Sequence, residues 1–443
     1  MKTIATTILL LMAVMMTNVQ NANAQWTTAK LSVARSSLSS TAVGTKVFFV
    51  GGTTDSAFGY LSAVVDIYDD STGLWTTANL SVARDNLSAT TVGTKAFFAG
   101  GWRGGASNVV DIYDNSTGLW TTAKLSRQRD YLSATTVGTK VFFAGGKLVG
   151  PFASLVYSEV DIYDNSTGLW TTANLSVARH TLSATAVGTK AFFAGGSAGI
   201  GVLGVNSSVV DIYDNSTGLW TTANLSVARH TLSATAVGSK VFFAGGSDGT
   251  SASSVVDIYD NSTGLWTTAN LSLARSSLSA TAIGSKVFFA GGSDGTSASS
   301  VVDIYDNSTG LWTTENLSLA RRSLSATAIG SKVFCAGGSD GTSFSSVVDI
   351  YDNTLTGINE MNKNEGIKVF PNPANNHVTI DLGVDNQKVE ITIADVNGKI
   401  IYSTFESDLQ KIDIGTQDFQ AGIYVVRIQK ADFIATKKLI VVK

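Results

Sequence analysis

From Leu182 to Val187 the chain alternates apolar with small or hydroxyl-bearing residues, the period of a strand with two unlike faces. Gly188-Thr189 follows, and reads as a two-residue hairpin with glycine where a type II′ turn requires positive φ. The next segment has the form "KVFFAGG" and is apolar on both sides, which suits a strand covered by a neighbouring sheet on each face. "VVDIYD" is then a third strand, "DNSTG" a turn and "LWTTA" a fourth strand. No repeat spaces its apolar residues every three or four positions, so helices are excluded from this part of the chain.

The same four-strand pattern returns along most of the 443 residues. Tryptophans stand at 26, 75, 120, 170, 220, 266 and 312, each followed by an arginine, a diglycine and the tyrosine of "DIYD". Their spacing of 45 to 50 residues is that of propeller blades. All the length variation falls in one segment of 7 to 12 residues between the diglycine and "DIYD", so 38 residues of every unit are fixed frame. A four-stranded sheet cannot cover both its faces alone, whereas a ring of such sheets buries each against the next.

The diglycine after an apolar strand, with a tyrosine and then a tryptophan further on, resembles the kelch repeat over residues 26–352. The seventh unit lacks a tryptophan after Asp352, and the chain begins with an orphan "WTTAKL" at 26–31. The resemblance therefore implies a seven-bladed ring, closed when the N-terminal strand completes the last blade.

Beyond Asp352 the pattern stops. A polar, asparagine-rich linker is expected at 354–366, followed by short alternating strands over 367–443 that read as a small Ig-like β-sandwich. Asn397-Gly398 is its strongest hairpin signal. Pro371-Asn372-Pro373, "ADVNGKIIYS", "AGIYVVRI" and the basic pair Lys437-Lys438 resemble the C-terminal sorting domain of type IX secretion cargo. That resemblance implies a type IX machine as partner, and passage through the outer membrane of a Gram-negative bacterium. Removal of the sorting domain would leave a propeller that is released or attached to the surface.

The N-terminus agrees with export. Lys2, an apolar run from Ile4 to Met16, and Ala22-Asn23-Ala24 make residues 1–24 a signal peptide, with 25–353 as the propeller. The run is too short for an anchor, and no later segment is longer, so no transmembrane anchor is expected. A net charge of -3 gives no electrostatic reason for nucleic-acid binding. Cys335 is the only cysteine, so no intrachain disulfide can form, and the expected state is a monomer held by packing.

Several constellations carry candidate chemistry. The copper-radical oxidases built on kelch propellers need a cysteine cross-linked to tyrosine plus two histidines. Here Cys335 takes the place of Phe289 in an apolar strand and reads as a packing substitute. His180 and His230 occupy equivalent places in adjacent units but lack a third ligand, so neither a metal nor a cofactor is expected. Asp85 and Asp130 hold that same place in two earlier units and could flank a glycosidic bond as paired carboxylates. The propeller's two glutamates, Glu159 and Glu315, fall outside this ring. An arginine in every unit (Arg35, Arg84 and onward) and the "DIYD" aspartates are best explained by blade-to-blade pairing, and the recurring "NST" by turn geometry.

Function is expected where repetition fails. In kelch domains the variable loop and the approach to the first strand open on one face. There the first three units place Phe58, Tyr60, Trp102, Arg103, Arg127, Tyr131, Lys147, Phe152 and Tyr157, whereas the last three carry near-identical "SDGTS" loops. Exposed aromatics among cations suit stacking on a sugar or gripping a protein. The expectation is a secreted or cell-surface, adhesin-like binding propeller for a glycan or protein, the alternative being a hydrolase or lyase using Asp85 and Asp130.

Overall fold

The computed structural model describes residues 26–54, 60–149, 154–199, 205–354, 367–382, 388–395, 398–407, 410–429 and 434–443. The expected signal peptide, and all of the expected linker but Thr354, lie outside them. Every regular element described is a β-strand. Trp26–Thr354 forms one compact unit, and the residues from 367 to the C-terminus belong to a second.

The first unit contains seven four-stranded antiparallel sheets, numbered here as blades 1 to 7 in chain order. Blade 2 is typical, with Ser88–Val92, Lys95–Ala99, Val109–Asp114 and Leu119–Lys124 side by side from the innermost strand outward. Blades 1 to 6 are each continuous in sequence. Blade 7 is assembled from both ends of the unit: Ser325–Ile329, Lys332–Ala336 and Val347–Asp352 are completed by Trp26–Lys30, in the register Trp26↔Tyr351 to Lys30↔Val347.

The paired phenylalanines of the second strand point to opposite faces, as period 2 demands. In blade 1, Phe48 packs against Phe98, Tyr113 and Trp120 of blade 2, while Phe49 meets Phe334 of blade 7. Both are fully buried, worth about 1.5–3 kcal/mol each. Each of these interfaces also carries a lysine whose Nζ reaches a hydroxyl or amide of the next blade, as Lys140 does to Tyr213 at 2.9 Å. Cys335 lies fully buried among Phe288, Val333 and Tyr351, where burial pushes its thiol up to about 12 and leaves it unreactive.

Two departures from the repeat sit at the closure. Glu315 stands where the other blades carry an alanine that shares an apolar core with the next blade's tryptophan, and its carboxylate accepts the indole N–H of Trp26. Asp70 replaces the asparagine of "DNSTG" and pairs with Lys332 of blade 7 at 2.7 Å. The frame thus changes where a strand from the far end of the unit must be held.

The arginines explain how the connecting loops are fixed. Arg129 is fully buried, its guanidinium bonded to Asp161 at 2.5 Å and to the carbonyls of Phe143 and Glu159. That ion pair lies within blade 3 and not between blades, a correction to the expected pairing. The crossing is made by the same residue's backbone: its N–H donates to Ser107 and its carbonyl accepts from Gly101, both of blade 2. Gly101 has φ +97°, and a Cβ there would meet the Asp85 carbonyl at 2.5 Å, so only glycine allows the approach.

Beyond each arginine the chain is locked again. The second residue after it is left-handed in every blade, with φ from 49° to 52°, although none is glycine. These residues hydrogen-bond in a closed circle: Ser37 donates to Ser323, Asn86 to Ser37, Tyr131 to Asn86, Thr181 to Tyr131, and so on around the axis. Left-handed backbone costs on the order of 1 kcal/mol per residue, offset here by seven inter-blade hydrogen bonds.

The second unit has a three-stranded sheet (Lys368–Phe370, His377–Asp381, Lys411–Gly415) and a four-stranded one (Ile400–Glu406, Val389–Asp395, Gly422–Gln429, Ile434–Val441), sharing one apolar core. The Lys368–Phe370 and Lys411–Gly415 strands are additions to the sequence reading. The expected hairpin joins Val389–Asp395 to Ile400–Glu406, with Gly398 at φ +82°; Asn397 lies outside the described residues.

Candidate binding pocket on the loop face

The residue directly after each arginine forms a two-residue bridge with the residue after the diglycine, as Asp85 does with Trp102 and Asp130 with Lys147. The frame repeats this bridge in all seven blades, but the side chains on it differ. Around the ring the first partner is Ser36, Asp85, Asp130, His180, His230, Ser276 and Arg322.

Blades 2 and 3 combine into a pocket of about 510 Å³ lined by Asp85, Asn86, Trp102, Gly104, Asp130, Tyr131, Lys147 and Val149. Trp102 stands partly exposed at its rim, and Lys147 places its Nζ 4.5 Å from the centroid of the Tyr131 ring. Tyr131 also meets His180 edge-on, with ring centroids 6.5 Å apart. Lys147 belongs to a small hairpin, Lys147–Val149 with Ser154–Val156, where the sequence predicted a plain loop. The pocket adjoins an axial cup of about 300 Å³ floored by the circle of left-handed residues, with Asn86 and Tyr131 common to both.

Burial shapes the acidity here. Asp130 is 3% exposed, and desolvation, helped by the nearby Asp85 and opposed by Lys147, pushes its carboxyl up to about 6. Asp85 is raised as well, mainly by burial, although the Thr53 hydroxyl donates to its Oδ2 at 2.7 Å. Tyr131 is pushed up to about 12 by burial and by the two carboxylates. Burial holds His180 and His230 below their ordinary range, and His180 Nε2 contacts the Gly199 carbonyl at 2.9 Å. No three metal-ligating side chains converge among the described residues.

Three of the residues expected to bind ligand, Trp102, Tyr131 and Lys147, come together with both candidate carboxylates. Arg103 lines an adjoining cavity of about 340 Å³ with Gln128 and Val149. Arg127 is exposed and faces Glu159 at 3.4 Å, and Tyr157 occupies the place of a corner serine beside Arg129. Tyr60 is exposed but lines none of these cavities. Phe58 and Phe152 lie outside the described residues. Asn86, Gly104 and Val149 were not anticipated, although Asn86 differs from its counterparts in every other unit.

In the second unit the expected motif works as a latch. Asn372, between Pro371 and Pro373, donates from Nδ2 to the Lys438 carbonyl and accepts the Ile440 N–H, while Ala374 N–H donates to the Ile440 carbonyl. Lys437 and Lys438 lie on that last strand, opposite Val426 and Val425.

The Kelch motif family matches residues 228–270, 274–316 and 320–353, and the secretion system C-terminal sorting domain family matches 368–442. No curated protein matches the chain. Among solved structures it is similar to the structure of YjhT, at 16% identity and a TM-score of 0.51, covering 65% of this chain and 99% of that one. The chain is a kelch-repeat β-propeller protein that ends in a type IX secretion sorting domain. That domain directs export to the cell surface or the extracellular space and implies contact with the secretion machinery. No described helix is long and apolar enough to cross a membrane.

Proposed function

We propose that the exported propeller is an adhesin-like binding module, and that it holds a glycan in the pocket between blades 2 and 3. The leader at 1–24 would deliver it to the periplasm, and the sorting domain would carry it onward. One observation supports the reading above the rest: an exposed tryptophan, a tyrosine, a lysine and two carboxylates converge at positions where the repeat departs from its own pattern. A concave cavity of about 510 Å³ falls in the size range of small-ligand sites, which favours a sugar over the flat face of a protein. The purified chain screened on a glycan array is expected to give a carbohydrate whose binding Trp102→Ala weakens at least tenfold, the worth of one lost stacking contact of about 1.4 kcal/mol. Full binding by that variant would contradict the proposed pocket.

A second reading, a glycan-cleaving enzyme, is favoured by the proton affinity of Asp130. A carboxyl at about 6 beside a second carboxylate suits general acid catalysis. New reducing ends from a bound glycan, lost in Asp130→Asn, would support it; an unchanged glycan would leave the binding module.

A further inference from the structure

We propose that the pocket seats the protonated amine of an amino sugar against Asp85 and Asp130, with the sugar ring against Trp102. This rests on the glycan reading above and names the chemical class of the ligand.

The propeller's own frame shows what a buried aspartate requires. The seven "DIYD" aspartates are as buried as Asp130, and each lies against an arginine guanidinium. Asp130 has no such partner among the described residues. Its Oδ1 and the Oδ1 of Asp85 are both buried without a hydrogen-bond partner among the described residues, and both carboxylates line the pocket. The frame does not require acids at these positions, since Ser36, Ser276 and Arg322 stand there in other blades.

The nearest cation, Lys147, acts on Asp130 only through space. Lys147 forms no ion pair with either carboxylate among the described residues and directs its Nζ over the Tyr131 ring. His180, which faces Tyr131 from blade 4, is held neutral by burial. Two acids against one ammonium leave the pocket short of one positive charge, with vacant acceptors at its wall and an aromatic face at its rim. A ligand carrying an ammonium on a ring with an apolar face supplies both. A neutral sugar would fill the acceptors with hydroxyls but leave the charge unbalanced.

The test is calorimetric titration of the full chain at pH 7.5 with three β-1,4-linked tetramers, of glucosamine, N-acetylglucosamine and glucose, and with a trilysine peptide. The glucosamine tetramer is expected to bind at least tenfold more tightly than the other tetramers and the peptide. Asp130→Asn and, separately, Asp85→Asn should each reduce that preference, whereas Trp102→Ala should weaken every tetramer. Equal or tighter binding of the acetylated or neutral tetramer would overturn the amine seat while leaving the glycan reading in place. Trilysine binding as tight as glucosamine would also overturn it, by reducing the selectivity to bare charge. Failure of every tetramer here, with failure of all carbohydrates on the array, would remove the glycan reading and the amine seat together.

Discussion

Deleting residues 26–31 is expected to lower the melting temperature of the propeller by on the order of 10 °C or more. The deletion strips the outer strand from blade 7 and removes Trp26 and Leu31 from two inter-blade cores. Losing a large buried side chain costs about 2–5 kcal/mol, and two are lost along with a whole ladder of backbone bonds. The total is on the order of 5–10 kcal/mol, a large fraction of what holds an ordinary domain folded. It also leaves Glu315 without the indole N–H it accepts. Circular dichroism melts of the intact and shortened chains measure the effect. A melting curve that did not move would mean that the ring does not depend on this strand.

Asp130→Asn should stabilise the protein, and by an amount that depends on pH. Asp130 has its carboxyl raised from 3.8 to about 6 in the folded state. A raised carboxyl means that the native state holds its proton more firmly than the unfolded chain does. Its contribution is therefore fully present below about pH 4 and is lost as the pH climbs through about 6. Above that range the buried charge costs roughly 2–3 kcal/mol, at about 1.4 kcal/mol for each pH unit. Asparagine carries no such charge, so the gain over the parent should be small at pH 4, grow to pH 6 and level off by pH 8. Asp85, Lys147 and Tyr131 face the same group and stay in place in the variant. Chemical denaturation at pH 4, 6 and 8 reads this directly; a variant no more stable at pH 8 than at pH 4, relative to the parent, would show that the carboxyl is not held as described. A stability cost retained at a pocket wall is the signature of a position kept for binding or catalysis.

The frame of the protein was open to reading because repetition averages out ambiguity. The "KVFFAGG" strand alone could be any buried segment, but seven copies at a steady spacing, with one elastic loop, leave little besides a ring of sheets. The missing tryptophan after Asp352 and the orphan one at 26 gave the closure the same logic. The pocket was less legible, because its walls come from blades 2 and 3, each placed by a two-residue bridge within its own blade that no local pattern announces. Trp102, Tyr131 and Lys147 stood out as exceptions to the repeat, yet so did Arg127 and Tyr157, which turn to Glu159 and to a loop corner. Which exceptions meet is decided by the pairing of Asp85 with Trp102 and of Asp130 with Lys147. The closure substitutions Glu315 and Asp70 were visible as letters, but their partners Trp26 and Lys332 belong to the far end of the ring.

Amide hydrogen exchange over the segment 26–31 addresses ring closure most directly. Leu31 donates its N–H to Ser346 at 2.7 Å, and Trp26–Lys30 pairs along its length with Val347–Asp352. The amides of the N-terminal segment that bond to this strand, alternate ones because Trp26–Lys30 is the outer strand, should therefore exchange as slowly as those of the strand they pair with. Rapid exchange at 26–31, with Val347–Asp352 still protected, would show blade 7 standing with three strands and the ring unclasped.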